Sequence, residues 1–286
     1  MNYTELKAAI ISYTDNQDSA FEAEVPTFVQ QAEQRIYNTV QIANLRKNMT
    51  GVLQAGNKYL SAPLDFLSAY SLAVYLAPST TATGVSGEFD IVVASATNLQ
   101  VGMYVSGSGI ATGAQIEVID GTTVTLTLAN TGTVSGTVNF QGDYLYLLNR
   151  DVNYMREVFP NPSYRATPKY YAIFGPNSAN VDELTFIVGP TPDANYNAEL
   201  HFYYYPVSIA DTVNNPAGTS WLGDNFDTVL LYGSLVEAYT WMKGEQDLMA
   251  VYETKFKEAL ALLKNLGDGK QRGDAYLDGQ LKMPVR

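Results

Sequence analysis

Few side chains in this sequence could do acid–base chemistry. The one histidine, His201, stands in the segment AELHFYYYP with no nucleophile near it, so we interpret it as a strand residue packed among tyrosines. Glu88 with Asp90, or Asp143 with Asp151, could form the acid and nucleophile of a glycosidase-like pair. In a chain with 29 acidic residues, unpaired carboxylates are typical of solvated surface. A carboxylate-based hydrolase is therefore the least favoured interpretation.

Motifs for cofactors and nucleophilic catalysis do not occur in the sequence. With no cysteine and one histidine, it excludes Cys-based and His-rich metal sites. It contains neither a GxxxxGK[ST] phosphate loop nor a GxSxG nucleophile elbow. The glycine-rich segment VSGSGIATG lies between predicted strands and not before a helix, so a phosphate site is disfavoured. We predict a non-enzymatic protein without catalytic residues, cofactor or metal.

Charge and composition limit the kinds of partner. A net charge of −12 argues against a nucleic-acid-binding surface, which needs clustered Lys and Arg. The 46% hydrophobic content predicts a folded globular protein. No apolar run approaches the roughly 18 residues of a membrane span, and the first residues do not resemble a secretory signal. The 21 tyrosines favour extensive contact surface, because tyrosine packs its ring while its hydroxyl stays hydrogen-bonded.

Helical patterns lie at both ends of the chain. Asn2 and Glu5 have the spacing of a capping box. Pro26 suits a first helical position, before an apolar stripe in PTFVQQAEQRIYNTVQIANL. Near the C-terminus, Asp224 is the predicted cap of a long helix, and a further apolar stripe ends at Gly267, a typical residue to follow a helix.

The composition changes abruptly over residues 78–141, which contain no Lys or Arg. Short alternating segments such as FDIVVA, AQIEVI and TVTLTL predict strands, and IDGT predicts a turn between two of them. The flanking segments YSLAVYLA and GDYLYLLNR are both rich in Tyr and Leu and could continue into one another as a hairpin. We therefore predict that residues 78–141 form an inserted all-β domain, a sandwich or a barrel.

The rest of the chain predicts an α+β host domain. NRDVNYMREVF is a short helix candidate, and KYYAIFG, ELTFIVGP and AELHFYYYPV are strand candidates. We expect residues 1–77 and 142–266 to form a helical bundle with one small antiparallel sheet.

Residues 267–286 predict an extended, partner-binding tail. Its four glycines oppose a fixed conformation, yet it carries apolar residues at intervals, which suits a segment that becomes ordered on a partner. The RGD triplet at 272–274 is interpreted as a chance match in a flexible tail.

The host segments resemble the head-to-tail adaptor, or connector, proteins of tailed bacteriophages. The resemblance rests on the order of FVQQAEQRIYNTVQIANLRKN, YLSAPLDFLSAYSLAV, YLYLLNR, TPKYYAIFG, ELTFIVGPTPDANYNAELHFYYYPVSIAD and WLGDNFDTVLLYGSLVEAYTWMKGEQDLMAVYETKFKEAL, which span most of residues 24–266. Residues 78–141 resemble the Thr- and Gly-rich β modules of phage structural proteins, especially in VGMYVSGSGIATGAQIEVIDGTTVTL.

This resemblance implies a virion protein at the head–tail junction, assembled in the host cytoplasm. It implies a dodecameric ring of helical bundles between the portal and the tail or nozzle proteins. Packaged DNA would pass close by without specific binding, and no membrane is involved. It also implies that the C-terminal tail reaches along the portal. The portal-binding residues expected on this basis are Lys270, Arg272, Tyr276, Leu277, Leu281, Lys282, Met283, Val285 and Arg286.

One alternative keeps the protein in the virion but gives it another role. Residues 78–141 could be the binding head of a glycan- or receptor-binding protein. Their only aromatic residues are Phe89, Tyr104 and Phe140, which disfavours this interpretation because glycan sites commonly use exposed aromatic rings.

Overall fold

The computed structural model describes residues 1–40, 45–177 and 180–275, with backbone alone at 176–177, 180–183 and 266–275. The chain divides into two compact units, one of Met1–Lys47 with Tyr204–Arg286 and one of Asn48–Tyr203. Each is described by itself. The helices are α1 Tyr3–Thr14, α2 Ser19–Thr39, α3 Val152–Val158, α4 Trp221–Asn225, α5 Asp227–Met242 and α6 Gln246–Ala275.

The first unit contains every described helix except α3, and its N-terminal cap was correctly predicted. The Asn2 side chain accepts a hydrogen bond from Glu5 N at 2.9 Å, and Glu5 Oε2 accepts one from Asn2 N at 3.0 Å. The position predicted for Pro26 is wrong, because α2 begins at Ser19 and is capped by Asp18. Pro26 lies inside the helix, where tertiary packing outweighs its missing hydrogen bond.

Two further helix ends also differ from the prediction. The predicted long helix is α5, which begins at Asp227 and has no side-chain cap. Asp224 lies within the short helix α4, which Ser220 caps by accepting a hydrogen bond from Gly223 N at 3.0 Å. α6 continues past Gly267 to Ala275. Once a helix has formed, each added residue contributes another backbone hydrogen bond, and this gain offsets the intrinsic cost of glycine.

All fourteen described strands lie in the second unit. Only the first and the last of them extend one or two residues beyond its boundaries. The strands are β1 Arg46–Leu53, β2 Tyr59–Ser61, β3 Phe66–Tyr75, β4 Ser79–Gly84, β5 Asp90–Val93, β6 Tyr104–Gly107, β7 Ile116–Asp120, β8 Thr123–Leu126, β9 Val134–Gln141, β10 Leu145–Tyr146, β11 Leu148–Asn149, β12 Tyr170–Asn177, β13 Asn180–Gly189 and β14 Tyr196–Tyr204. They form three sheets with the orders β1-β14-β3-β10, β11-β12-β13-β2 and β6-β9-β4-β5-β8-β7.

The six-stranded sheet lies entirely within residues 78–141 and curls towards a barrel. Val105 N donates to Ala114 O at 2.9 Å, and Ile116 N donates to Met103 O at 2.9 Å, so backbone bonds join the region of β6 to the start of β7. Alternate residues point inwards and are buried, whereas Thr and Ser face outwards, as the alternation predicted. The predicted turn at Gly121 is present between β7 and β8.

The segments before and after residues 78–141 pair with each other, as predicted. Leu145 in β10 is opposite Val74 in β3, in antiparallel register. The pairing continues outwards through a bond from Gly142 N to Leu76 O at 2.9 Å. Because the six-stranded sheet belongs to the same compact unit as the two smaller sheets, its status as a separate inserted domain stays a prediction.

The predicted host fold, a helical bundle with one small antiparallel sheet, is wrong. The described chain is rich in β-structure, and two four-stranded sheets lie outside residues 78–141. One of them includes a parallel pair, β11 with β12, with Leu148 opposite Tyr170. The prediction failed because β1 is exposed along most of its length and β2, β10 and β11 are two or three residues long, so none shows a clear alternation of apolar and polar residues.

Candidate interaction surfaces

The helices of the first unit are held together by an ionic cluster. Arg35 in α2 donates from Nη2 to Glu253 Oε1 in α6 at 2.6 Å, and its Nη1 lies 3.8 Å from Glu237 Oε1 in α5. Burial alone would raise the pKa of Glu253. The hydrogen bond and charge of Arg35, together with Lys257 at 3.3 Å, outweigh that effect and hold the pKa below its ordinary value. One arginine thus links three helices.

A glycine allows these helices to approach closely. A Cβ atom at Gly233 in α5 would lie 3.1 Å from Phe256 Cε2 in α6 and 3.2 Å from Ala32 Cβ in α2. Both distances are shorter than a comfortable carbon–carbon contact. Gly233 therefore lies where α5 packs closely against both α2 and α6.

A buried carboxylate fixes the segment that follows β14. Glu33 in α2 accepts a hydrogen bond from Ile209 N at 3.1 Å. Burial raises the pKa of Glu33, although hydrogen bonds from Ser208 and Ile209 partly oppose this effect. No sequence signal predicted this role, since Glu33 stands among mostly polar residues in QQAEQ.

The outer face of α2 carries no exposed charged residue. Its charged side chains, Glu22, Glu24, Glu33 and Arg35, are all half-buried or buried. The exposed positions are Ser19, Ala20, Ala23, Thr27, Gln30, Gln31, Gln34, Asn38 and Thr39. Depletion of charge is typical of the surfaces at which proteins associate. We call these exposed residues the α2 face.

A second exposed stripe runs along α6 and is partly apolar. Leu248, Val251 and Leu262 are 41%, 51% and 67% exposed. Lys255 and Glu258 complete the stripe at alternating spacings of three and four residues, and they neutralise each other at 3.1 Å. This spacing is the one that lets two helices pack ridge into groove. We call these five residues the α6 stripe.

The α2 face is long enough to cover the α6 stripe, and both surfaces carry little net charge. At about 1.5 Å per residue, Ser19 to Thr39 spans about 30 Å and Leu248 to Leu262 about 21 Å. Copies of a chain with a net charge of −12 repel one another wherever their charged surfaces meet. Surfaces of low charge are therefore the ones at which two copies can approach.

The predicted portal-binding residues are not brought together in the part of the chain that the structure describes. Lys270 and Arg272 lie in α6, as does the RGD triplet. The other predicted residues lie outside the described residues: Tyr276, Leu277, Leu281, Lys282, Met283, Val285 and Arg286.

The carboxylates considered for catalysis have other structural surroundings. Asp90 accepts a hydrogen bond from Thr125 Oγ1 at 2.6 Å, and Asp151 caps α3 by accepting one from Asn153 N at 2.7 Å. Glu88 and Asp143 are exposed. His201 lies in β14, as predicted, with Nε2 3.7 Å from Glu199 Oε1.

The described ranges contain neither a candidate metal cluster nor a candidate membrane-spanning helix. There, no three His, Asp or Glu side chains are grouped so that they could hold a metal ion. No helix within the described part of the chain is long and apolar enough to cross a membrane.

The family described as SU10 adaptor protein matches residues 96–282, which is more than half of the chain. The chain therefore belongs to this family of phage adaptor proteins, and the resemblance to head-to-tail adaptors is confirmed. It is a phage structural protein and a virion component, and membership implies interaction with portal and tail proteins. No curated protein matches the sequence.

Proposed function

We propose that this protein forms a ring, dodecameric by family resemblance, that connects the capsid portal to the tail. Its C-terminal residues bind the portal. The observation that carries the proposal is the extent of the family match, which continues through α6 to residue 282 and so includes most of the segment predicted to bind. The apolar residues of this segment would be buried on the portal, and this burial would offset the cost of ordering it.

Ring formation in this proposal uses the helical unit. The α2 face of one copy packs on the α6 stripe of the next, which is a head-to-tail contact that can close into a ring. This arrangement is supported by the low charge of the two surfaces and by the length of the α2 face, which is sufficient to cover the α6 stripe. The acidic remainder of each subunit would keep passing DNA from adhering, since like charges repel.

The portal-binding role is tested by removing residues 276–286. This truncation leaves the described part of α6 intact, so the variant should keep the full-length circular dichroism spectrum and melting temperature. We expect it not to co-sediment with portal rings of the same phage, whereas the full-length chain does. Equal co-sedimentation of the two proteins would refute portal binding by these residues.

A matched substitution separates apolar anchoring from chain length. Leu281→Asp with Met283→Asp keeps the length and should abolish attachment. Lys264→Ala, on the exposed surface of α6, should leave attachment unchanged.

A further inference from the structure

A cavity of about 340 Å³ in the second unit has an unusual lining. It is formed by the chain entering β4, the loop after β5 and the start of β14. Most of its lining residues carry a hydroxyl or carboxamide group, and none is charged. Small-molecule sites are generally lined mainly by apolar side chains, so this cavity suits a more polar ligand than most. Its polar residues include Ser79, Thr80, Thr97, Asn98, Asn195 and Asn197.

Some of these polar groups are already used within the protein. Asn195 Oδ1 accepts a hydrogen bond from Ala55 N at 2.9 Å, and Thr97 Oγ1 accepts one from Ser95 Oγ at 3.0 Å. In contrast, the carboxamides of Asn98 and Asn197 have no hydrogen-bond partner among the described residues. Each offers two donors and one acceptor. They are therefore among the groups of the cavity that are available to a ligand.

The backbone holds Asn98 in an uncommon conformation. Its φ of 64° is in the left-handed region, which few residues other than glycine adopt. A hydrogen bond from Leu99 N to Ala96 O at 3.1 Å closes the turn around it. Asparagine tolerates this region better than most residues, so the turn presents a carboxamide where glycine would present none.

We propose that this cavity is a binding site for a neutral saccharide. Sugar hydroxyls both donate and accept hydrogen bonds, as do the hydroxyls and carboxamides of the lining. Leu76, Pro78 and Leu99 supply apolar surface for the C–H groups of a pyranose ring. A phosphorylated or sialylated ligand would lack a cation to pair with its charge, because no Lys or Arg lines the cavity.

The proposal does not depend on portal binding or ring formation. It differs from the glycan- or receptor-binding alternative described above, in which exposed aromatic rings of residues 78–141 would bind the glycan. Here recognition comes from carboxamides, and one of them, Asn197, lies outside that segment.

Saturation-transfer difference NMR on the full-length protein tests the proposal. The probes are the methyl glycosides of glucose, galactose, mannose and N-acetylglucosamine, with sialic acid and glucose 6-phosphate as charged comparisons. We expect transfer to at least one neutral glycoside and none to the charged sugars. Absence of transfer to every neutral probe at about 10 mM, a concentration that detects millimolar affinity, would overturn the proposal.

Two variants locate the binding. Asn98→Gly removes a carboxamide at a φ that glycine accepts without strain, so the fold should be kept. Asn197→Leu removes the other. Each should weaken binding at least tenfold, whereas Thr137→Ala, on the outer face of β9, should not change it. Wild-type affinity in Asn98→Gly, with an unchanged melting temperature, would show that sugars bind elsewhere and would refute the site.

Discussion

The guanidinium of Arg35 lies 4.6 Å over the ring of Phe256 while its Nη2 donates to Glu253. One side chain of α2 thus makes a cation–π contact and an ion pair with the same helix, α6. We expect this double contact to add modestly to the apolar packing between the helices that carry the α2 face and the α6 stripe.

Arg35→Met should lower the free energy of unfolding by about 1 kcal/mol, a modest value because Arg35 is partly exposed and its pair is screened. The pKa of Glu253 is lowered in the folded state, so its contribution is present above its ordinary range and lost as the pH falls through the folded pKa. The difference in free energy of unfolding between the wild type and Arg35→Met, measured with urea, should therefore be smaller in acid than at neutral pH. The exposed Lys255→Met is the control, with a change below about 0.5 kcal/mol. A pH-independent loss would contradict the ion pair.

Gly233→Val should destabilise the protein by about 1–3 kcal/mol, because the added atoms overpack the space between Phe256 and Ala32. Thermal unfolding measures the effect. Ala261→Val on the exposed surface of α6 is the control for a β-branched residue in a helix, and its effect should stay below about 1 kcal/mol. Equal melting temperatures of the two variants would show that the contact of α5 with α2 and α6 at Gly233 can accommodate a larger side chain.

Glu33→Gln should stabilise the protein at neutral pH by about 1 kcal/mol, because it removes a buried charge while the amide oxygen can still accept from Ile209 N. The folded-state pKa of Glu33 is raised, so the wild type gains stability as the pH falls through that pKa. The advantage of the variant should therefore narrow in acid. Denaturant titrations at several pH values test this, and a variant that is less stable at neutral pH would contradict it.

The proposed ring contact can be tested by cross-linking, because the native chain has no cysteine. Gln31→Cys and Lys255→Cys lie near the centres of the α2 face and the α6 stripe, so they should meet whichever way the helices run. With a short bismaleimide, the double variant should give a ladder of oligomers in assembled rings.

The controls separate the contact from the ring itself. Each single variant should give no ladder in a head-to-tail contact, and Gln31→Cys with Ser135→Cys should give none either. Rings seen by electron microscopy without cross-links would refute this contact alone. Failure to form rings, with or without the portal, would refute the ring as well.

The sequence predicted elements whose signal is local. The capping box of Asn2 and Glu5 and the alternating strands of residues 78–141 depend on neighbours in the chain, and the structure has both. The prediction for Pro26 was wrong because a proline usually indicates the start of a helix. Here tertiary packing stabilises the helical turns that precede it. The two four-stranded sheets were missed because strands as short as β10 and β11 exist only through their partners.

The candidate surfaces were less accessible to sequence reasoning. The low charge of the α2 face becomes visible only when Glu33 is known to be buried and Arg35 to be paired with Glu253. The cavity at Asn98 and Asn197 joins residues about a hundred positions apart, so no motif could reveal it. The predicted tail residues remain a prediction, carried by their spacing and by the family.

The backbone hydrogen bonds that join β6 to β7 affect the tendency of the protein to aggregate. An unpaired edge strand can pair with a strand of a neighbouring chain and so start aggregation. Where β6 meets β7, the backbone groups are hydrogen-bonded within the six-stranded sheet. The outward-facing side chains of this sheet include hydroxyl groups. Copies of the chain can therefore lie close together without pairing through β6 and β7.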